Sequence, residues 1–341
     1  MGMKVKDIAK MLDLSPSTVS LVLNNKPGIS EATRERVRNA VIDMGYEDLL
    51  TQETEEKKTI LFVVYRKHGG AAGGSSYFSQ LFSEIIEGVE YQTRAKGYNL
   101  MISYIDANNF KQEAARIKGE SVEGILLLAT EMEESQIEAF LNIPLPIVVL
   151  DNYIERKQYD CVTMNNELGV YEAISHFAAC GHREIGYLHV VCNANNFVER
   201  YFGFQRAMEK LGMTVKKENI LEIATEGGDE VYKELKRLLG RMEHLPTAFF
   251  ADNDILAICA MRVLREMGAQ VPEDVSIIGF DNMALSEMLD PPLTTIQIPR
   301  RKMGMAAVNA IIEKISDESA GSLKTEVATS LIVRHSVRQL E

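Results

Sequence analysis

From Thr59 onward the chain alternates short apolar runs with amphipathic stretches, and no other feature limits its architecture as much. TILFVVY, NLMISYI, GILLLA and IVVL read as buried parallel strands, separated by helix-patterned segments near residues 78 to 96, 110 to 119 and 133 to 141. A second round follows, with CVTM, a helix to about Cys180, EIGYLHV, a helix from Arg200 to Leu211, ENILEIA, a helix near 229 to 240, TAFFAD, a helix to Met267 and VSIIGF. Two successive rounds predict two doubly wound lobes with a cleft between them, where ligands sit outside the strand C-termini. A chain of 341 residues has room for both, since it exceeds what one hydrophobic core serves.

The first 46 residues obey a different period. In VKDIAKML the apolar Val5, Ile8, Ala9 and Leu12 recur at threes and fours, one face of a helix. A second helix starts at SPSTVSLVLNN, with Ser15 as N-cap and Pro16 at the first helical position, and turns Val19, Val22 and Leu23 inward. A third starts after KPGIS with Ser30 as cap, carries Val37, Val41 and Ile42 inward and stops at Gly45. Three such helices, the first two joined by the tight Asp13-Leu14 turn, make a helix-turn-helix.

Charge marks the same segment. The whole chain has a net charge of −12, yet through Tyr46 seven basic residues face five acidic ones. The head is therefore the part with positive charge to offer a phosphate backbone. The same pattern also fits a small helical bundle with a solvated basic face. Cys161, Cys180, Cys192 and Cys259 lie too far apart for a metal knuckle, and six histidines are scattered without ligand spacing, so no metal and no cofactor is expected. GxSxG, HExxH, GxGxxG and GxxxxGK[ST] are all missing, which argues against an enzyme. MGMKVKDIAK carries no apolar leader and no run approaches a membrane span, so a cytoplasmic location without membrane contact is expected.

The stretch VKDIAKMLDLSPSTVSLVLNNKPGISEATRERVRNAVIDMGY resembles the DNA-binding head of the LacI/GalR family of transcriptional regulators along its whole length. GHREIGYL, the ER-YFGF stretch, FFADNDILAICAMRVLREMGAQVPEDVSIIGFDN and PPLTTIQIP extend the likeness through nearly all of the remainder. The resemblance implies an N-terminal all-α helix-turn-helix head plus an α/β two-lobed periplasmic-binding-protein-like domain built on two doubly wound parallel sheets. It places the head at 1–46, an acidic linker at 47–58 and the effector and dimerisation domain at 59–341. Three chain crossings near Val162, Pro292 and Lys324 would then give lobe 1 residues 59–161 and 292–323, and lobe 2 residues 162–291 and 324–341.

By the same likeness Pro16, Ser17 and Leu21 enter the major groove of double-stranded operator DNA, while Ser15, Thr18, Ser20, Asn24 and Thr33 hold its backbone. Many members carry arginine where Leu21 stands, and leucine offers only apolar contact, for instance to a thymine methyl. Effector contacts map onto Asp151, Asn196, Arg200, Asn253 and Asp281. Their chemistry suits a small polar effector such as a carbohydrate, with Arg200 donating and the aspartates accepting from paired hydroxyls. With no tryptophan in the chain, Tyr77, Phe82 or Phe197 would have to stack on a sugar ring. Ile298 stands where some sugar-responsive relatives carry a polar contact. The expected protein is a homodimeric repressor on a pseudo-palindromic site. The alternative is a regulator of the same fold whose partner is a protein rather than a cleft ligand.

Two stretches depart from the pattern. GYEDLLTQETEEKKTI, residues 45–60, puts Asp48, Leu49, Glu53 and Glu55 where the family's hinge helix has Pro-Asn, arginine and its wedge. A carboxylate on a groove floor meets the strongest negative potential of DNA, so either a tether replaces the wedge, or Leu49 and Leu50 wedge from a shifted register. In RKHGGAAGGSSYF, Gly69 and Gly74 have phosphate-loop spacing, but Ser75 occupies the lysine position. That loop reads as a ligand lid or as an insertion.

Overall fold

The computed structural model describes residues 5–24, 26–46, 49–50, 58–66, 76–192, 194–224, 228–317, 319 and 321–340, without the side chains of 76–81 and 228. The Gly-rich loop and most of the acidic linker fall outside these residues. The chain forms two units, Met1–Lys57 and Lys58–Glu341.

In the first unit, helices α1 (Val5–Met11), α2 (Pro16–Leu23) and α3 (Glu31–Asp43) close on a core of Ile8, Ala9, Val19, Val22, Leu23, Val37 and Val41. Ile42 is not part of it. It is 46% exposed, because it follows Val41 by one residue and so leaves the stripe that Val37 and Val41 share at a spacing of four. Ser15 and Ser30 cap α2 and α3 by accepting from the amides of Thr18 and Thr33. Leu50 packs against this core, whereas Leu49 is exposed.

In the second unit, β1 (Thr59–Arg66), β2 (Asn99–Asp106), β3 (Gly124–Leu128), β4 (Ile147–Leu150), β5 (Asp160–Met164) and β11 (Lys324–Val327) form one parallel sheet. Its order is β11-β5-β4-β3-β1-β2. The other sheet runs β7-β6-β8-β9, from β6 (Ile185–Val190), β7 (Ile220–Ile223), β8 (Ala248–Ala251) and β9 (Ser276–Ile278), again all parallel. Single bridges from Ile278 to Thr294 and from Asp281 to Gln297 run to the segment of β10 (Thr295–Gln297), which pairs antiparallel with β12 (Ser330–Ile332). Both sheets put the first strand beside the second and third, the doubly wound order that leaves a crevice at the strand C-termini.

Helices α4 (Ser76–Ala95), α5 (Phe110–Ile117), α6 (Glu134–Leu141) and α12 (Arg300–Ser316) cover the first sheet, and α7 (Asn166–Ala179), α8 (Asn195–Lys210), α9 (Gly228–Leu239) and α10 (Asp254–Glu266) the second. A short α11 (Ala284–Glu287) follows β9. Helices α4 and α12 approach backbone to backbone: a Cβ on Gly88 would lie 2.1 Å from the carbonyl of Arg301, and one on Gly304 2.4 Å from that of Ile85.

Sheet membership follows the chain as it passes between the lobes. Since β5 and β11 belong to the first sheet and β10 adjoins the second, the chain changes lobe after Met164, between Gln297 and Arg300, and after Val327. NLMISYI is not a buried strand. It is an edge strand with one neighbour, and Met101, Ile102 and Tyr104 are exposed. The helix expected from Arg200 begins at Asn195, one turn earlier, which puts Asn196 and Arg200 on one helix face.

Candidate functional site

The head presents a small polar face. Pro16, Ser17 and Leu21 are exposed on α2, opposite the buried Val19, Val22 and Leu23. The hydroxyl of Ser15 lies 2.7 Å from those of both Ser17 and Thr18, so the three form one cluster at the N-terminus of α2. Asn24 donates to the carbonyl of Ser20 at 2.7 Å, and Thr33 lies in the first turn of α3, with its hydroxyl 2.8 Å from that of Ser30. Two of the head's arginines are spent on its own backbone: Arg34 donates to the carbonyl of Lys26 and Arg36 to that of Leu12.

The lobes enclose a cavity of about 1500 Å³ whose lining includes Phe82, Asp151, Asn196, Phe197, Arg200, Asn253, Asp281 and Ile298. The fold explains how they converge. Asp151 follows β4, Asn253 follows β8 and Asp281 follows β9 across a short turn, while Asn196 and Arg200 project from the first turns of α8. Asp151 and Asp281 have φ of 60° and 116°, backbone conformations costly for residues other than glycine and concentrated at binding sites.

Arg200 is the centre of the arrangement. It is 3% exposed, and its guanidinium carbon sits 3.7 Å from the ring centroid of Phe280 and 5.5 Å from that of Phe197. Its Nε donates to Asn166 Oδ1 at 2.9 Å and Nη1 to the carbonyl of Asp252. From Asn166 a chain of amides continues: Asn166 donates to Asn196 Oδ1 at 2.9 Å, and Asn196 to Asp151 Oδ1 at 3.0 Å, while Thr130 donates to Asp151 Oδ2 at 2.7 Å. This chain crosses the cleft, because Thr130 and Asp151 belong to the first lobe and Asn166, Asn196 and Arg200 to the second.

Further contacts cross it. Arg300, at the start of α12, donates through Nη1 to the carbonyl of Asp281 at 2.9 Å. Asn195 donates to Asn152 Oδ1 at 2.8 Å. The hydroxyl of Tyr153 donates to Glu199 Oε1 at 2.7 Å, with Lys324 3.5 Å above the tyrosine ring and 3.9 Å from the same carboxylate.

Burial sets the protonation tendencies. Loss of water raises the pKa of Asp151 despite the opposing hydrogen bonds from Thr130 and Asn196. Asp254, under the loop that carries Asp281, is pushed up to about 7, first by burial and then by the Asp281 charge, against donors from Ser286, Thr295 and the Met283 amide.

Six polar or aromatic positions singled out in the sequence thus share one cavity with Phe82. The side chain of Tyr77 lies outside the described residues. Asn253 also has a local duty, capping α10 by accepting from the Leu256 amide at 2.9 Å. Sequence reasoning missed Thr130, Tyr153, Asn166, Glu199 and Arg300. The last is the first of three consecutive basic residues, and no local signal marks its burial. Among the described residues no cluster could hold a metal ion, and no helix is long and apolar enough to cross a membrane.

A helix-turn-helix head in one chain with a two-lobed cleft domain defines the class, a DNA-binding transcriptional regulator. The chain belongs to the LacI family of bacterial regulatory proteins, whose sequence profile matches residues 4–48, while residues 174–337 match the periplasmic binding protein-like domain. It is 32% identical over 344 residues to the HTH-type transcriptional repressor PurR of Aliivibrio salmonicida, covering 98% of this chain and 99% of that one. With PurR of Photobacterium profundum the identity is 31% over 342 residues, with the same coverage. Among solved structures, the transcriptional regulator CelR in complex with cellobiose superposes with a TM-score of 0.72 at 24% identity, covering 98% of this chain and all of that one. The lac repressor dimer bound to operator and the anti-inducer ONPF gives 0.71 at 21%, covering 99% and 100%. A LacI family regulator from Enterococcus faecium with bound ribose gives 0.67 at 23%, covering 83% and 100%. At these identities the structural likeness speaks to the fold.

Proposed function

We propose that this chain is a homodimeric repressor that grips a pseudo-palindromic operator with two heads and is controlled by a small polar effector, a carbohydrate or close relative, in the cleft. The observation that carries the reading is Arg200, buried, stacked on Phe280 and tied by a chain of amides to Asp151 across the lobes. Such a set of forked donor and paired acceptors suits vicinal hydroxyls. The cellobiose and ribose named for two structural neighbours support the ligand class, and the repressor relatives support the sign of regulation.

Dimer contacts are assigned to the first lobe. The exposed Met101, Ile102 and Tyr104 on its edge strand, with Tyr91 on the neighbouring α4, are the kind of apolar surface that a second copy covers. Leu49 and Leu50 differ in role: Leu50 is engaged with the head's core, which favours a tether over a groove wedge. The protein acts by binding rather than catalysis, and works in the cytoplasm where its operator is. By linkage, the effector must favour one lobe arrangement over the other, by about 1–3 kcal/mol for a typical coupling.

The test is to select the operator from a genomic pool and titrate the complex with neutral aldoses, for wild type and Arg200→Ala. The variant should hold DNA with wild-type affinity and lose the aldose response. An aldose response undiminished in the variant would refute the assignment.

A further inference from the structure

Deepening that reading, on which it rests, we propose that the effector carries an anionic oxygen group, a carboxylate or a phosphate, bound between Arg200 of the second lobe and Arg300 of the first. Arg300 is 4% exposed and lines the cavity, and its Nη2, shut off from solvent, makes no hydrogen bond although Asp281 Oδ1 is 3.4 Å away. Arg200 Nη2 is nearly as poorly served: it lies 3.8 Å from the same Asp281 oxygen, and its hydrogen-bond partner is the thioether of Met164 at 3.5 Å, a weak acceptor. The two guanidinium forks therefore flank the Asp281 carboxylate, each with an N–H edge that this acceptor serves at long range. A buried donor without a hydrogen bond is costly, so Arg300 Nη2 has capacity for an acceptor oxygen beside Asp281.

A second feature aims the same way. Helix α12, 17 residues long, begins at Arg300 with Pro299 in the cap position and no side chain closing its N-terminus. The positive end of its dipole adds to the two arginines. A hydroxyl group would satisfy one of these donors, whereas the paired oxygens of a carboxylate or phosphate match a guanidinium fork.

The surrounding charges set limits on the ligand. Asp281 stands beside both arginines, Glu84 lies 3.9 Å from Arg300 Nη1, and Glu131, Glu133, Glu134 and Glu155 line the outer cavity. They favour a ligand with a single anionic group at the arginines and uncharged hydroxyls elsewhere. The Asp252 carboxylate does not compete for Arg200, because it is taken by Tyr187, His189 and the amide of Val190. Since each lobe supplies one arginine, an anionic oxygen between them is held by both. Arg300 Nη2 becomes reachable when the lobes part, so the group enters with the ligand and is sealed in as they close.

The experiment uses the full chain and simple anions. Thermal unfolding is followed in sodium acetate and in sodium phosphate against sodium chloride at equal ionic strength, for wild type, Arg300→Gln, Arg300→Lys and the remote surface control Arg241→Gln. Acetate or phosphate should stabilise the wild type and the control beyond chloride. The apparent anion affinity should fall about tenfold in Arg300→Gln, as expected for one charge-assisted hydrogen bond, and recover in part in Arg300→Lys. A stronger acetate effect identifies a carboxylate-bearing effector, and a stronger phosphate effect a phosphorylated one. An identical response in wild type and Arg300→Gln, or no response beyond chloride, overturns the inference. If neutral aldoses release the operator through Arg200 while anions do nothing, the carbohydrate reading stands and the anionic subsite falls. If anions act through Arg300 and no carbohydrate releases the operator, the reverse holds.

Discussion

Replacing Tyr153 by phenylalanine removes one oxygen atom from the seam between the lobes and leaves the rest of it in place. The hydroxyl donates to Glu199 Oε1 at 2.7 Å, whereas Lys324 keeps its position over the ring at 3.5 Å and Asn166 keeps its 2.7 Å bond to the other carboxylate oxygen. A hydrogen bond to a charged group contributes roughly 1.5–3 kcal/mol when buried. Tyr153 is half-buried and water replaces part of the loss, so we expect about 1.4 kcal/mol, a tenfold shift toward parted lobes. A ligand that requires the closed arrangement would then bind more weakly by up to that factor. Hydrogen exchange at the amides of Tyr153 and Asn195 reads the opening without any ligand, and a double-mutant cycle with Glu199→Gln isolates the pair. Exchange rates unchanged in Tyr153→Phe, or effects of the two variants that simply add, would refute the claim that this contact holds the lobes together.

Other expectations follow from single sites. Leu21→Arg should add guanine discrimination of about 1–3 kcal/mol at one position of the operator, read by selecting sites with both proteins; an unchanged selected sequence places residue 21 away from the groove. Gly88→Ala should cost the large domain about 3 kcal/mol, because a methyl 2.1 Å from the Arg301 carbonyl forces α4 off α12, and urea unfolding measures it. Asp254 binds its proton in the folded state up to about pH 7. In the unfolded chain such a carboxyl ionises near pH 4, so its stabilising contribution is full below that value and is lost as pH rises to about 7. Asp254→Asn should flatten stability across that window, and thermal unfolding from pH 4 to 7 checks the slope.

How far the sequence speaks depends on whether a feature is local. The caps at Ser15 and Ser30 and the apolar stripe of α2 are properties of a few neighbouring residues, and the structure has them as read. Ile42 was read inward because it is apolar and adjacent to the stripe, yet one residue of offset turns a helical side chain by about 100°. NLMISYI has the composition of a buried strand, and only the sheet order reveals an edge. Sheet membership is non-local for the same reason, since pairing of β11 with β5 brings together residues 163 apart in the chain, such as Lys324 and Cys161. In the cleft, the residues that match a family pattern converge on one cavity. Asn166 and Glu199 were invisible, because their meaning lies in whom they touch across the lobes, and Arg300 because a basic run at a helix start usually stays in water.

The central claim is that two heads on one dimer read a symmetric site under the control of the cleft. Footprinting of the selected genomic site with the full-length protein, combined with the stoichiometry of the complex, tests it most directly. The account predicts two chains per site and two protected half-sites related by a two-fold axis, with the minor groove at the centre left open. One chain on a single unsymmetric footprint would contradict it.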